Sequence, residues 1–129
     1  DVGLGHGHLG PLGHNAQTGA LESFDFSHLY GHIPELKRFE LDIQVKSFDP
    51  PLDSSELGPQ HWQQLASWIA SSYELFDGFV ILHGTDTMAY TASVLAFCLQ
   101  GLAKPVVVTG AMRGPTAPGA DGPANLLAP

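Results

Sequence analysis

The stretch Asp77-Gly78-Phe79-Val80-Ile81-Leu82-His83-Gly84-Thr85-Asp86-Thr87-Met88-Ala89-Tyr90-Thr91-Ala92 decides how this chain is read. Four consecutive apolar residues, Phe79 to Leu82, follow a glycine and precede a polar turn. A run of that length without alternation is a strand covered on both faces. Gly84 to Thr87 is the turn. Met88 to Leu102 then reads as a helix, with Asp86 or Thr87 at its N-cap and Gly101 near its end.

The same alternation of elements continues on both sides. Lys104-Pro105-Val106-Val107-Val108-Thr109 is read as a second buried strand. Upstream, Pro59 opens a helix that runs to about Tyr73, with a stripe of Trp62, Leu65, Ala66, Ile69 and Tyr73 at spacings of three and four. Before it, residues 41–48 alternate apolar and polar, which predicts a strand with one buried face at or near a sheet edge. Residues 24–36 carry helical spacing (Phe26, Leu29, Tyr30, Ile33), with Ser23 or Asp25 as cap and Pro34 as the break. Pro123 can open a last, short helix. Strand, helix, strand, helix, strand is the order of an α/β fold, a mostly parallel sheet flanked by helices. Ligand sites in such sheets lie beyond the carboxyl ends of the strands. Three loops leave strands there: 49–58, 83–87 and 110–122.

Residues 1–17 read differently. Glycine recurs at 3, 5, 7, 10 and 13, with His6, His8 and His14 between. The pattern suits neither helix nor stable strand, so a flexible Gly/His-rich segment is expected. The histidines bring no nearby thiols or carboxylates, which favours a tail over a metal site.

Composition removes several classes of function. The 129 residues are 43% hydrophobic and 14% charged, an ordinary globular balance. Five basic against thirteen acidic residues give a net charge of −8, a poor match to nucleic-acid backbones or anionic membranes. No apolar run reaches the length of a membrane span, and no basic region followed by an apolar stretch marks a secretory signal. The single cysteine, Cys98, sits in an apolar helical pattern and reads as a small core residue.

Two polar loops carry the chemistry. In Gly84-Thr85-Asp86-Thr87 a hydroxyl and a carboxylate are adjacent at a strand end and a helix start. The amides of a first helical turn can hold an anion or a developing oxyanion. Asp53-Ser54-Ser55 is analogous, and its hydroxyls can bond an amino-acid carboxylate or amine. Taken alone, each loop is better explained as a helix cap; two polar loops converging on one sheet edge raise the case for a site. No Rossmann glycine pattern, Walker loop or Gly-x-Ser-x-Gly elbow occurs. His61 is read as solvated, and His83 as a hydrogen-bonded structural histidine rather than a base.

Residues 77–92 resemble, nearly without interruption, the second signature of the bacterial asparaginase/glutaminase family. Ser47 to Ser55, with Trp62 beyond, is similar to the cytoplasmic type, as are Thr18 to Leu21 and Ile33 to Leu36. Gly110 to Arg113 and Ala120 to Pro123, with Asn125 and Leu126, are more similar to the secreted type. The resemblance implies that residues 18–129 are part of an incomplete asparaginase-like N-terminal domain. It implies a cytoplasmic homo-oligomer that hydrolyses L-asparagine, with glutamine as the alternative substrate, and needs no cofactor, metal, nucleic acid or membrane. Thr85 and Asp86 match catalytic positions. Ser54, Ser55, Gly84 and Ala111 match positions that hold substrate, alongside Thr85 and Asp86, with the Ala111 carbonyl on the substrate amide. The family's first threonine loop, Thr-Gly-Gly-Thr, has no counterpart in residues 1–17, and Thr18 lies past its place. The family's lysine falls beyond Pro129, and Lys104 stands at the wrong end of its strand to replace it. Weak hydrolysis is therefore expected. An inert fragment that binds ligand or other chains, and an asparaginase-like subunit of a tRNA-dependent amidotransferase, are the competing readings.

Overall fold

A computed structural model describes residues 2–5, 13–14, 21–22, 34–49, 52–112, 119 and 121–127. Its centre is a four-stranded parallel sheet. The strands are β1 (Val2–Gly5), β4 (Gln44–Lys46), β5 (Phe79–Leu82) and β6 (Val106–Thr109), in the order β4-β1-β5-β6. Two short strands, β2 (Gly13–His14) and β3 (Leu21–Glu22), form a separate antiparallel pair. Among the described residues the α-helices are α1 (Pro59–Ser72), α2 (Met88–Cys98) and α3 (Gly122–Leu127).

The sheet corrects the reading of residues 1–17 as flexible. Val2–Gly5 is a central strand, paired with Gln44–Lys46 on one side and along its whole length with Phe79–Leu82 on the other. A strand between two partners has its backbone groups bonded on both sides. That pairing outweighs the weak local propensity of a glycine-rich segment. Gly13 and His14 are likewise in strand. The other residues of that segment lie outside the described residues.

Both faces of β5 are covered, as its unbroken apolar run requires. Phe79 and Ile81 pack with Leu65 and Ile69 of α1, Leu95 of α2 and Phe48. Val80 and Leu82 face the other way, against Leu36, Ile43, Leu126 and Leu127. The stripe on α1 therefore points as its spacing predicts. Its start is fixed by Pro59 at the first position and by the His61 ring, whose Nδ1 accepts the Gly58 N–H at 3.0 Å. His61 also meets the Phe48 ring edge-on at 5.7 Å. It is a cap rather than the solvated side chain expected.

Pro34 opens a 3₁₀ segment, Pro34–Phe39, at the position where a break was expected; a proline at a first helical position loses no needed N–H. The rest of the expected helix, residues 24–33, lies outside the described residues. Three further expectations change. β6 is not fully buried. Among the described strands it lies at the sheet edge, and Val107 is 48% exposed because only the α1/α2 face of this strand is covered. Cys98 is exposed, next to Phe97 at 77% exposure. Met88–Cys98 is apolar on nearly every face, so spacing could not say which side turns inward. Thr91 and Leu95 are the residues that do. The end of α1 and the start of β6 are pinned together by Tyr73, whose hydroxyl oxygen accepts the N–H groups of Ala103 and Lys104. Among the described strands β4 occupies the other sheet edge as expected, but all three of its residues are exposed, so the buried face that alternation predicted is missing from the strand itself; Ile43, just before it, packs inward.

Candidate active site

β5 continues one residue past its end, where the His83 N–H donates to the Thr109 carbonyl at 2.8 Å. His83 is wholly buried. Its Nδ1 lies 2.7 Å from the Gly84 carbonyl, which can only accept, so Nδ1 carries the proton. Nε2 lies 2.7 Å from the Thr91 hydroxyl, which therefore donates to it. The Thr91 oxygen in turn accepts the Trp62 indole N–H at 3.0 Å. A single directed chain thus runs from α1 through α2 to the turn after β5. Burial pushes the His83 pKa below its ordinary value of 6.5, opposed in part by the bond to the Gly84 carbonyl. Both ring nitrogens are engaged, so His83 is the structural residue the sequence indicates.

That depression has a measurable consequence. Below about pH 6.5 the unfolded chain binds a proton at residue 83 that the folded chain resists. The contribution of His83 to stability is therefore complete above that pH and falls as the solution is acidified. Urea unfolding between pH 7.5 and 5.5 is expected to show a slope of up to about 1.4 kcal/mol per pH unit from this residue. The slope should be missing from the His83→Gln curve and so should appear in the difference between the two proteins. Parallel curves for the two proteins would contradict the assignment.

The residues expected to carry function meet at this edge. Thr85 is half-buried and Asp86 exposed, immediately before α2. Among the described residues the Thr85 hydroxyl has no hydrogen-bond partner. Thr87 is the N-cap residue of α2, yet its hydroxyl makes no cap bond. It donates instead to the Ser54 carbonyl at 3.0 Å. That contact brings the 53–57 turn against the 84–87 turn. Within the former, Asp53 Oδ1 accepts both the N–H and the hydroxyl of Ser55, each at 2.8 Å. The Ser55 oxygen is left able to accept, which suits a substrate ammonium. Ser54 is buried beside it.

The third loop arrives through Gly110. A Cβ built there would lie 2.2 Å from the His83 carbonyl oxygen and 3.5 Å from Thr85 Cγ2, so the backbone of residue 110 rests directly on the Thr85 turn. Ala111 follows, between two anchors. The Asn125 side-chain amide donates to the Gly110 carbonyl at 2.8 Å, and Asp121 Oδ2 accepts the Met112 N–H at 3.0 Å. Neither Asp121 nor Asn125 has an assigned role in the sequence reading. The available signal is a short-range one: an acid and an amide four apart at the start of a helix, next to a loop that needs backbone partners. Lys104 lies at the amino end of β6, where its ammonium donates to the Tyr73 carbonyl and covers the Tyr73 ring. It is remote from this edge, as expected. Residues 113–118 and 120 of the loop lie outside the described residues, as do His6 and His8.

A parallel α/β sheet with a Gly-Thr-Asp-Thr turn at its carboxyl edge defines the class, and the chain belongs to the asparaginase family: the family's N-terminal domain, described as "Asparaginase, N-terminal", matches residues 12–129. L-asparaginase 1 of Escherichia coli K12 is 49% identical over 96 residues, covering 74% of this chain and 28% of that protein. A glutamyl-tRNA(Gln) amidotransferase subunit of Methanopyrus kandleri is 41% identical over 118 residues, covering 87% of this chain and 25% of that protein. The crystal structure of L-asparaginase I from Vibrio cholerae superposes with a TM-score of 0.80 at 40% identity, covering 98% of this chain and 38% of that one. The chain thus spans well under half the length of these relatives.

Proposed function

We propose that this chain carries part of the active site of an L-asparaginase, an amidohydrolase that converts L-asparagine to L-aspartate and ammonia. The observation that carries the reading is the junction of three loops at one sheet edge, through the Thr87–Ser54 hydrogen bond and the seat of Gly110 on Thr85. In this proposal Thr85 and Asp86 are catalytic. The Thr85 hydroxyl acts in acyl and proton transfer at the side-chain amide, with Asp86 beside it. A threonine hydroxyl is a weak nucleophile and needs a base; among the described residues His83 cannot serve, since both its nitrogens are bonded. Ser54 and Ser55 hold the substrate's α-carboxylate and ammonium, Gly84 lets the substrate approach the turn, and the Ala111 carbonyl accepts from the substrate amide. The same proposal takes residues 18–129 as the body of the domain, a cytoplasmic setting, and self-association through exposed apolar residues such as Phe97 and Tyr90.

Similarity to the amidotransferase subunit supports a second reading. Net charge separates the two within this chain, since a surface with five basic and thirteen acidic residues offers little to tRNA. Ammonia release with asparagine and with glutamine, beside a tRNA gel-shift titration, tests the choice. Ammonia from asparagine in preference to glutamine, without a shifted tRNA band, is the expected result. Preference for glutamine together with tRNA binding would favour the amidotransferase reading.

A further inference from the structure

We infer that Thr87 is a positioning residue that sets the substrate-holding turn at its working distance from Thr85. A threonine at a helix N-cap ordinarily turns its oxygen onto an amide of the first turn. Thr87 has the cap position, since its carbonyl accepts the N–H groups of Tyr90 and Thr91, but not the cap bond. Its hydroxyl proton goes to the Ser54 carbonyl, thirty-three residues back in the chain. That carbonyl also closes its own turn by accepting the Leu57 N–H at 3.3 Å.

The recipient turn is rigid within itself. Asp53 holds the Ser55 N–H and hydroxyl through its side chain and the Glu56 N–H through its carbonyl. A turn tied internally moves as a body, so its separation from the Thr85 turn is governed by the contact between the two. Thr87 supplies that contact two residues from Thr85. The hydroxyl has been diverted from local capping to a bond between loops, and what it fixes is the relation of Ser54 and Ser55 to Thr85. The functional meaning of this tether rests on the amidohydrolase reading; the tether itself rests on geometry.

The test uses the full chain with Thr87→Val, which keeps the shape and loses the hydroxyl, and Thr87→Ser, which keeps the hydroxyl. Hydrogen–deuterium exchange is read at residues 55–57, whose amides are bonded within the turn, and at residues 63–69 inside α1. Loss of one neutral hydrogen bond should speed exchange at 55–57 about fivefold in Thr87→Val, leave 63–69 unchanged, and be reversed in Thr87→Ser. Ammonia release is followed in parallel, where KM for asparagine should rise about fivefold with kcat within twofold, because substrate and transition state lose the same contacts. Unchanged exchange at 55–57 in Thr87→Val would overturn the inference, as would Thr87→Ser behaving like Thr87→Val, or a uniform rise that includes 63–69. A wild-type chain without detectable ammonia release counts against the hydrolase reading alone, and the exchange comparison still decides the tether.

Discussion

Gly110→Ala is expected to lower the unfolding free energy by about 3 kcal/mol, at the upper end of what overpacking usually costs. The added methyl would sit 2.2 Å from the His83 carbonyl oxygen. That oxygen belongs to backbone, so no side-chain rotation relieves the clash. Backing away is obstructed on both sides. The His83 N–H is bonded to the Thr109 carbonyl across the β5–β6 ladder, and the Gly110 carbonyl is held by Asn125. Any relief must separate the ends of two strands or displace the Thr85 turn, whose Cγ2 lies 3.5 Å from the same point. Gly101→Ala is the control. Residue 101 has a positive φ of 76°, and among the described residues nothing lies within 4 Å of where the new methyl would stand. Only backbone strain of about 1 kcal/mol is therefore expected there. Urea midpoints for the two variants should differ clearly. Equal losses would mean that the close approach at residue 110 is relieved without cost.

The elements legible in the sequence were those whose local pattern and tertiary environment agree. The Phe79–Leu82 run, the α1 stripe and the polar turn at 84–87 all have one reading at both levels. β1 was not legible, because its stability comes from partners on either side and not from its own glycines. The inward side of α2 was hidden by a helix apolar on almost every face, which left Cys98 misplaced. At the site, the turns that carry Ser54 and Thr85 are in contact through Thr87, and Gly110, next to the expected Ala111, lies against Thr85. What spacing could not supply were the ties between loops: the Thr87 hydroxyl on the Ser54 carbonyl, and Asp121 and Asn125 on either side of Ala111. Thr87 looks like an ordinary cap in one dimension, and its actual partner is separated from it by all of α1 and β5. His61 shows the reverse case, a side chain assigned to solvent that closes the helix start three residues away.

The second large effect falls on chemistry, and it tests the central claim. Residues that act as a unit in acyl transfer typically cost ~10³-fold or more when one is removed. The Thr85 hydroxyl is placed to be such a member: it is free of partners among the described residues, it lies beside Asp86, and three loops hold it in position. Thr85→Ala breaks no hydrogen bond among the described residues and removes a side chain that is only half-buried, so it should fold with little loss of stability. The decisive measurement is ammonia release from L-asparagine by the wild-type chain and by Thr85→Ala at matched concentration. The account predicts slow release by the wild-type chain that disappears in Thr85→Ala, and robust turnover that survives Thr85→Ala would contradict it.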